Sequence, residues 1–265
     1  MKTRAYLFAT LALGLGLPQA AASQRWMPGF VDAELITGWR TESGSQMAAL
    51  RIVLESGWKT YWRAPGDGGV PPEFNWTGSH NAAEIIIHWP RPTLFDDGGM
   101  RTAGYLQEMI LPIEVVPTDP AQEVWLAAEV SFGICHDICV PMHVNVRNLL
   151  SGPGSATPEI VAALTDLPDR RDGIARCVVE PVLDGVRVTA DIRMPPLGTQ
   201  EVALFELNNV PVWVSESQNT RAGDVLTSVV EIVPYDARPF ELDQSQLSIT
   251  VIDGMQAVEI RGCLG

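Results

Sequence analysis

Two of the four cysteines in this 265-residue chain stand close enough to react with each other. They are Cys135 and Cys139, within the segment Val130-Ser131-Phe132-Gly133-Ile134-Cys135-His136-Asp137-Ile138-Cys139-Val140-Pro141. Thiols so placed can exchange a disulfide with another protein, form a static bridge, or bind a soft metal. In one continuous strand, four steps of about 3.3 Å would hold their Cα atoms roughly 13 Å apart, against about 4.4–6.8 Å for a disulfide. The chain must therefore turn between them, and Gly133, His136 and Asp137 suit a bend where one strand ends and the next begins. Closing so small a ring removes little unfolded-state entropy, which makes the bridge a weak staple and favours redox work over structure. A protonated His136 would favour the thiolate and Asp137 would oppose it. The metal alternative draws on Cys135, His136, Cys139 and His143, two thiolates and two imidazoles of the kind that suit Cu(I) or Zn. Adjacent Cys135 and His136, with Pro141 stiffening the loop, make that geometry awkward, and no resident metal or cofactor is expected.

Cys177 and Cys263 lie far from this pair, so of the three pairings open to four cysteines the near pair plus the far pair is the natural one. A Cys177–Cys263 bridge would enclose about 85 residues, for which loop entropy gives roughly 4–5 kcal/mol, a structural role.

The elements that must position these residues read as strands. Apolar or β-branched runs at 48–54, 84–89, 109–116, 123–132 and 140–146 are bounded by Gly or Pro. Residues 151–158 are linker-like, and Thr157 before Pro158 and Glu159 predicts a short helix to about Leu167. Strand patterns resume at 177–183, 186–192, 202–207, 210–214, 226–233, 247–252 and 256–260, with Asp184-Gly185 and Asp253-Gly254 as two-residue hairpin turns. The fold class expected is all-β, a β-sandwich followed by a second sandwich-like domain. The expected division is 1–22, 23–150, 151–170 as linker and short helix, and 171–265.

Residues 1–22 have the parts of a secretory signal: Lys2 and Arg4, an apolar run, then Ala20-Ala21-Ala22 before Ser23. Cleavage near Ala22 predicts a periplasmic protein with no stable membrane insertion, and changes the net charge from −14 to −16 as two cations leave. So acidic a chain would repel phosphates, which argues against nucleic-acid partners.

Other groups read as structural. Trp58, Tyr61, Trp62, Trp76 and Trp89 are core aromatics of a sandwich, with Tyr61 and Trp62 set aside below. Asp67-Gly68-Gly69 is a turn, since no Lys-Ser or helix start follows it. Glu55, Asp96, Asp97 and Glu108 have no hydrolase spacing, His80 and His88 are scattered, and no Ser-His-Asp arrangement or dinucleotide fingerprint appears.

Three stretches together carry a resemblance: Gly57-Trp58-Lys59-Thr60-Tyr61-Trp62-Arg63, Gly104-Tyr105 with Leu111-Pro112, and Cys135 to Pro141. Over about residues 30–150 the chain resembles the N-terminal periplasmic domain of the thiol:disulfide interchange protein DsbD. Residues 57–69 are most similar to the suppressor-of-copper-sensitivity reductases, ScsB. The resemblance implies an immunoglobulin-like sandwich with redox cysteines on neighbouring strands. It also implies electron supply by a membrane-embedded thiol reductase, and periplasmic thioredoxin-fold clients. Cys139 would form the mixed disulfide and Cys135 would resolve it. Tyr61 and Trp62 would lie near the site, beside His136, under a cap at residues 95–100. Phe95, Asp96, Asp97, Met100 and Tyr105 are its candidates. The expected function is thiol-disulfide exchange of the protein-disulfide reductase or relay type. Copper binding or copper tolerance through the same cysteines, and a non-enzymatic interaction module, are the alternatives.

Overall fold

Strand β9 shows how the sequence builds the first half. Val124, Leu126, Ala128, Val130, Phe132 and Ile134 are buried, while alternate residues as far as Ser131 point outward, the period-2 pattern of a sheet with one face on a core. The structure is a computed structural model that describes residues 27–208, 210–235 and 240–263, without the side chain of Asp97. The expected signal segment, 1–22, lies outside the described residues.

The first half runs β1 (Phe30–Arg40), β2 (Gln46–Leu54), β3 (Lys59–Tyr61), β4 (Glu73–Asn75), β5 (Glu84–Ile87), β6 (Thr93–Asp97), β7 (Met100–Leu106), β8 (Glu108–Val116), β9 (Val124–Cys135) and β10 (Cys139–Leu150). Two antiparallel sheets result, ordered β1-β2-β8-β5 and β10-β9-β3-β7-β6, with β4 added to β9. Leu50, Ile52, Leu111 and Ile113 of one sheet meet Leu126, Val130, Phe132 and Ile134 of the other.

Helix α1 (Pro158–Thr165) packs fully buried Ile160 against Met47 and Ala49 of β2. It is shorter than the expected helix, and Thr157 does not cap it with its side chain; the hydroxyl donates instead to the Thr37 carbonyl at 3.1 Å.

The second half continues with β11 (Asp169–Arg170), β12 (Ala175–Val182), β13 (Gly185–Arg193), β14 (Val202–Leu207), β15 (Val212–Val214), β16 (Gln218–Ala222), β17 (Val225–Pro234), β18 (Leu247–Asp253) and β19 (Gln256–Arg261). Its sheets are β11-β19-β18-β14 and β12-β13-β17-β15, with β16 on β17. Val188, Ile192, Phe205, Ile232, Ile249 and Ile260 lie between them. A disulfide joins Cys177 on β12 to Cys263 just beyond β19, tying one sheet to the other across a Cα separation of 5.5 Å. The fold is therefore all-β, with two sandwich-like pairs of sheets.

Both expected hairpins form, each one residue out of step. The loop residues are Leu183-Asp184 and Gly254-Met255, because Val182 pairs with Gly185 and Asp253 with Gln256. Gly185 is spent on packing: a Cβ there would stand 2.1 Å from the Ile232 carbonyl oxygen on β17.

Candidate functional site

The alternation of β9 breaks at its last turn, where Gly133 and Cys135 are buried although their positions face away from the core. Cys135 ends β9 and Cys139 opens β10, directly opposite, with Cα atoms 4.2 Å apart and the sulfurs bonded. Between them the His136 N–H donates to the Ile138 carbonyl at 3.0 Å, which closes the turn. The His136 ring rests beside Trp58, centroids 6.0 Å apart, and against Gly57, where a Cβ would come within 2.9 Å of the imidazole. Its Nδ1 is 3.0 Å from an Asp137 carboxylate oxygen.

The two sulfurs differ in access. Cys135 is 2 % exposed, whereas Cys139, on the edge strand, is open to solvent. Burial of Cys135 comes from Tyr61, itself 3 % exposed, whose hydroxyl donates to Cys135 Sγ at 3.0 Å and stands 3.7 Å from Cys139 Sγ. Strand β3 puts it there. Lys59 pairs with Cys135 and Thr60 with Ile134, so Tyr61 falls two residues further along the outer face. The Thr60 hydroxyl pins this register by donating to the Gly133 carbonyl at 2.9 Å. Gly133 is the seat of the phenol ring, since a Cβ there would lie 3.3 Å from Tyr61 Cε2. Residues 62–72 close over the ring from the other side: a Cβ at Gly69 would be 2.9 Å from Tyr61 Cδ1.

Of the residues expected near the sulfurs, Tyr61 and His136 are there. Trp62 is fully buried and carries the Arg63 guanidinium over its ring at 4.2 Å. Phe95 is tied in indirectly, through the buried Lys59 ammonium 4.7 Å from its ring centroid. The 95–100 hairpin extends along β7 from the level of the disulfide. Lys59, level with Cys135, pairs with Leu106 at the opposite end of β7 from Met100, six residues or about 20 Å along the strand. Asp96 instead closes that hairpin by accepting from the Gly99 N–H at 2.9 Å, and Met100 is half exposed. The Asp97 side chain lies outside the described residues. Tyr105 donates to the Pro90 carbonyl at 2.8 Å, away from the sulfurs, and its phenol is pushed well above its ordinary pKa by burial. The cover is made by Tyr61 and residues 62–72, with Val70 above Gly133. Gly133, expected at the bend, instead pairs with Pro141 inside the β9–β10 ladder, and the site roles of Gly133, Lys59 and Gly69 escaped the sequence reading. The available clue was a glycine in an otherwise well-patterned strand, which marks a close approach.

His143 does not join the cysteines: its Nδ1 is 2.8 Å from Ser131 Oγ, four residues along β10. Among the described residues no three His, Cys, Asp or Glu side chains converge as a metal site. Trp76 and Trp89 pack with Phe74 at 5.7 and 6.1 Å.

Comparison with known proteins bears on this geometry. Residues 31–151 match the family described as thiol:disulfide interchange protein DsbD, N-terminal. At family level, these residues match the DsbD N-terminal domain. The DsbD-like half thus spans every strand that builds the cysteine pair and Tyr61, and the family match supports a periplasmic location. Among solved structures, the N-terminal periplasmic domain of ScsB from Proteus mirabilis is similar at 24 % identity and a TM-score of 0.63. The likeness covers 88 % of this chain and 91 % of that one. Coverage of that extent takes in much of the second half beyond the DsbD-like residues, as a likeness of fold. No curated protein matches the chain. Among the described residues no helix is long and apolar enough to cross a membrane.

Proposed function

We propose that the chain is a periplasmic thiol-disulfide exchange module of the protein-disulfide reductase or relay type, acting through Cys135 and Cys139. The observation that carries the reading is the unequal pair: one sulfur open on an edge strand, its partner buried under a phenol that donates to it. An attacking group needs access, and a leaving sulfur needs its thiolate stabilised. In the forward reaction the Cys139 thiolate attacks one sulfur of a client disulfide and the other leaves as a thiolate. The Cys135 thiolate then attacks Cys139 Sγ and expels the client's first sulfur. Two electrons have passed to the client, and the Cys135–Cys139 bond is the oxidised product.

Recharging reverses this. A thiolate of a membrane-embedded thiol reductase attacks exposed Cys139 Sγ, and Cys135 departs as a thiolate beneath the Tyr61 hydroxyl; the donor's second thiolate then attacks the donor sulfur of that mixed disulfide and Cys139 leaves as a thiolate. Thioredoxin-fold clients and the membrane donor are the partners that the DsbD family context supports. We read the first pair of sheets as an immunoglobulin-like sandwich, and residues 151–170 as the division from the second.

Trapping tests the assignment. Cys135→Ala leaves an attacking thiol with no resolving partner, so it accumulates a mixed disulfide with a thioredoxin-fold client, whereas Cys139→Ala accumulates none. Equal trapping by the two variants, or a midpoint potential below about −300 mV, where inert structural bridges lie, would refute it.

A further inference from the structure

The second half grips the segment that covers the buried sulfur. Residues 62–72 contain Pro65, Gly66, Gly68, Gly69, Pro71 and Pro72 and form no strand. On its own side this segment is held by β7, through Trp62 N–H to Ala103 O at 3.0 Å and Ala103 N–H to Pro65 O at 2.9 Å. Beyond packing on Tyr61, Arg101 and Gly133 of the first half, side chains of the second half also hold it. The Arg63 guanidinium donates to both carboxylate oxygens of Glu206 on β14, at 2.9 and 3.0 Å, and also meets Glu259 on β19. Trp213 on β15 donates its indole N–H to Asp67 at 2.6 Å. Burial would lower the Arg63 pKa, but Glu206 and Glu259 more than offset it and hold the guanidinium above its ordinary value.

We infer that the second β half is a positioning element for the redox site: through Arg63 and Asp67 it holds residues 62–72 down on Tyr61, and Tyr61 keeps Cys135 hidden and hydrogen-bonded. The chain of contact is continuous. Arg63 and Asp67 flank Pro65, Pro65 meets Gly69, Gly69 lies on Tyr61, and Tyr61 touches both sulfurs. A glycine- and proline-rich segment has little internal hydrogen bonding to order it, so outside anchors decide how often it lifts. Charge-assisted bonds to a planar guanidinium fork suit that duty. Arg63, Asp67, Glu206, Glu259 and Trp213 are positioning residues here, since none of them touches a sulfur in this arrangement.

This inference rests on the exchange reading for its biological sense, but its test does not. The full chain, reduced at Cys135 and Cys139, is alkylated with iodoacetamide, and the rate at each cysteine is followed by mass spectrometry across a pH series. For Arg63→Met, alkylation of Cys135 rises by about tenfold, the factor expected when one charge-assisted anchor is lost from a local opening equilibrium. Cys139 changes less than about twofold, because it is already open, and the apparent pKa of Cys135 moves as its phenol partner loosens. Trp213→Phe, which removes one hydrogen bond and keeps an aromatic ring, gives a smaller rise at Cys135 alone. Should Arg63→Met fail to fold, Glu206→Gln and Trp213→Phe decide the matter. Folded variants whose Cys135 rate and pH profile stay within twofold of the parent overturn the inference. Normal client trapping alongside that result leaves the exchange reading standing, and failed trapping with an altered Cys135 rate does the reverse.

Discussion

Replacing Tyr61 with Phe removes one oxygen atom and leaves the ring on its glycine seat. In the oxidised protein that oxygen donates to a neutral disulfide sulfur, a weak acceptor. When an incoming thiolate attacks Cys139, charge develops on Cys135 Sγ, 3.0 Å from the same hydroxyl and shut off from water at 2 % exposure. Hydrogen bonds to charged groups contribute about 1.5–3 kcal/mol, so about 2 kcal/mol of thiolate stabilisation is lost. That corresponds to a Cys135 pKa raised by roughly 1.5 units. With about half of the charge formed in the transition state, the barrier to reduction rises by about 1 kcal/mol and the rate falls about fivefold. Stopped-flow reduction by dithiothreitol at fixed pH measures the rate, and the pH dependence of Cys135 alkylation measures the pKa. The pKa moves up and the rate down together if the phenol acts on the leaving sulfur. A folded Tyr61→Phe protein with both values unchanged would show that the phenol only fills space.

Two further outcomes concern the frame of the site. Removing the Cys177–Cys263 bridge in a double alanine variant, which frees a loop closed across 86 positions, lowers the stability of the second half by about 4–5 kcal/mol on loop entropy. Urea unfolding followed by hydrogen exchange would locate that loss, and an unchanged midpoint for the second half would refute it. Tyr105 gives an alkaline signature: burial raises its phenol pKa, Arg63 opposes and Asp166 adds to the rise. The folded state therefore keeps a proton that the unfolded chain releases, so this stability is complete below about pH 10 and is lost as pH climbs above it. Tyr105→Phe flattens that decline in urea titrations between about pH 8 and 11, and an identical slope in parent and variant would rule the phenol out as its source.

Legibility in the sequence followed the range over which each constraint acts. The turn between Cys135 and Cys139 could be read because a four-residue separation and strand geometry leave no other way to join the sulfurs. Strands such as β8 and β9 could be read because their largely period-2 burial is local. Strand β3 was hidden, being only three residues between turn-rich neighbours, and β1 was hidden by Asp32, Glu34 and Arg40 interrupting its apolar positions. The reach of the 95–100 hairpin is a register problem. Residues 95–100 are adjacent in sequence to strands that flank the site, but how far the hairpin tip extends past the cysteines depends on pairings that no local pattern encodes. The seam was out of reach for the same reason: Arg63 lies 143 residues from Glu206 and 196 from Glu259, and single charges carry no periodicity that would pair them.

The turn between the cysteines holds a freedom that the rest of the site lacks. His136, Asp137 and Ile138 are all exposed, and the turn that they form closes through backbone atoms. The side chains of Asp137 and Ile138 therefore constitute a small label mounted beside the exposed sulfur, which can be rewritten at little cost to the core beneath, while His136 keeps its place against Trp58 and Gly57. Tyr61 and Gly133, locked into one another, admit no such revision. If the exchange proposal holds, a designer redirecting the protein toward a new client would keep the phenol and its glycine fixed and diversify Asp137 and Ile138, changing the address while leaving the engine alone.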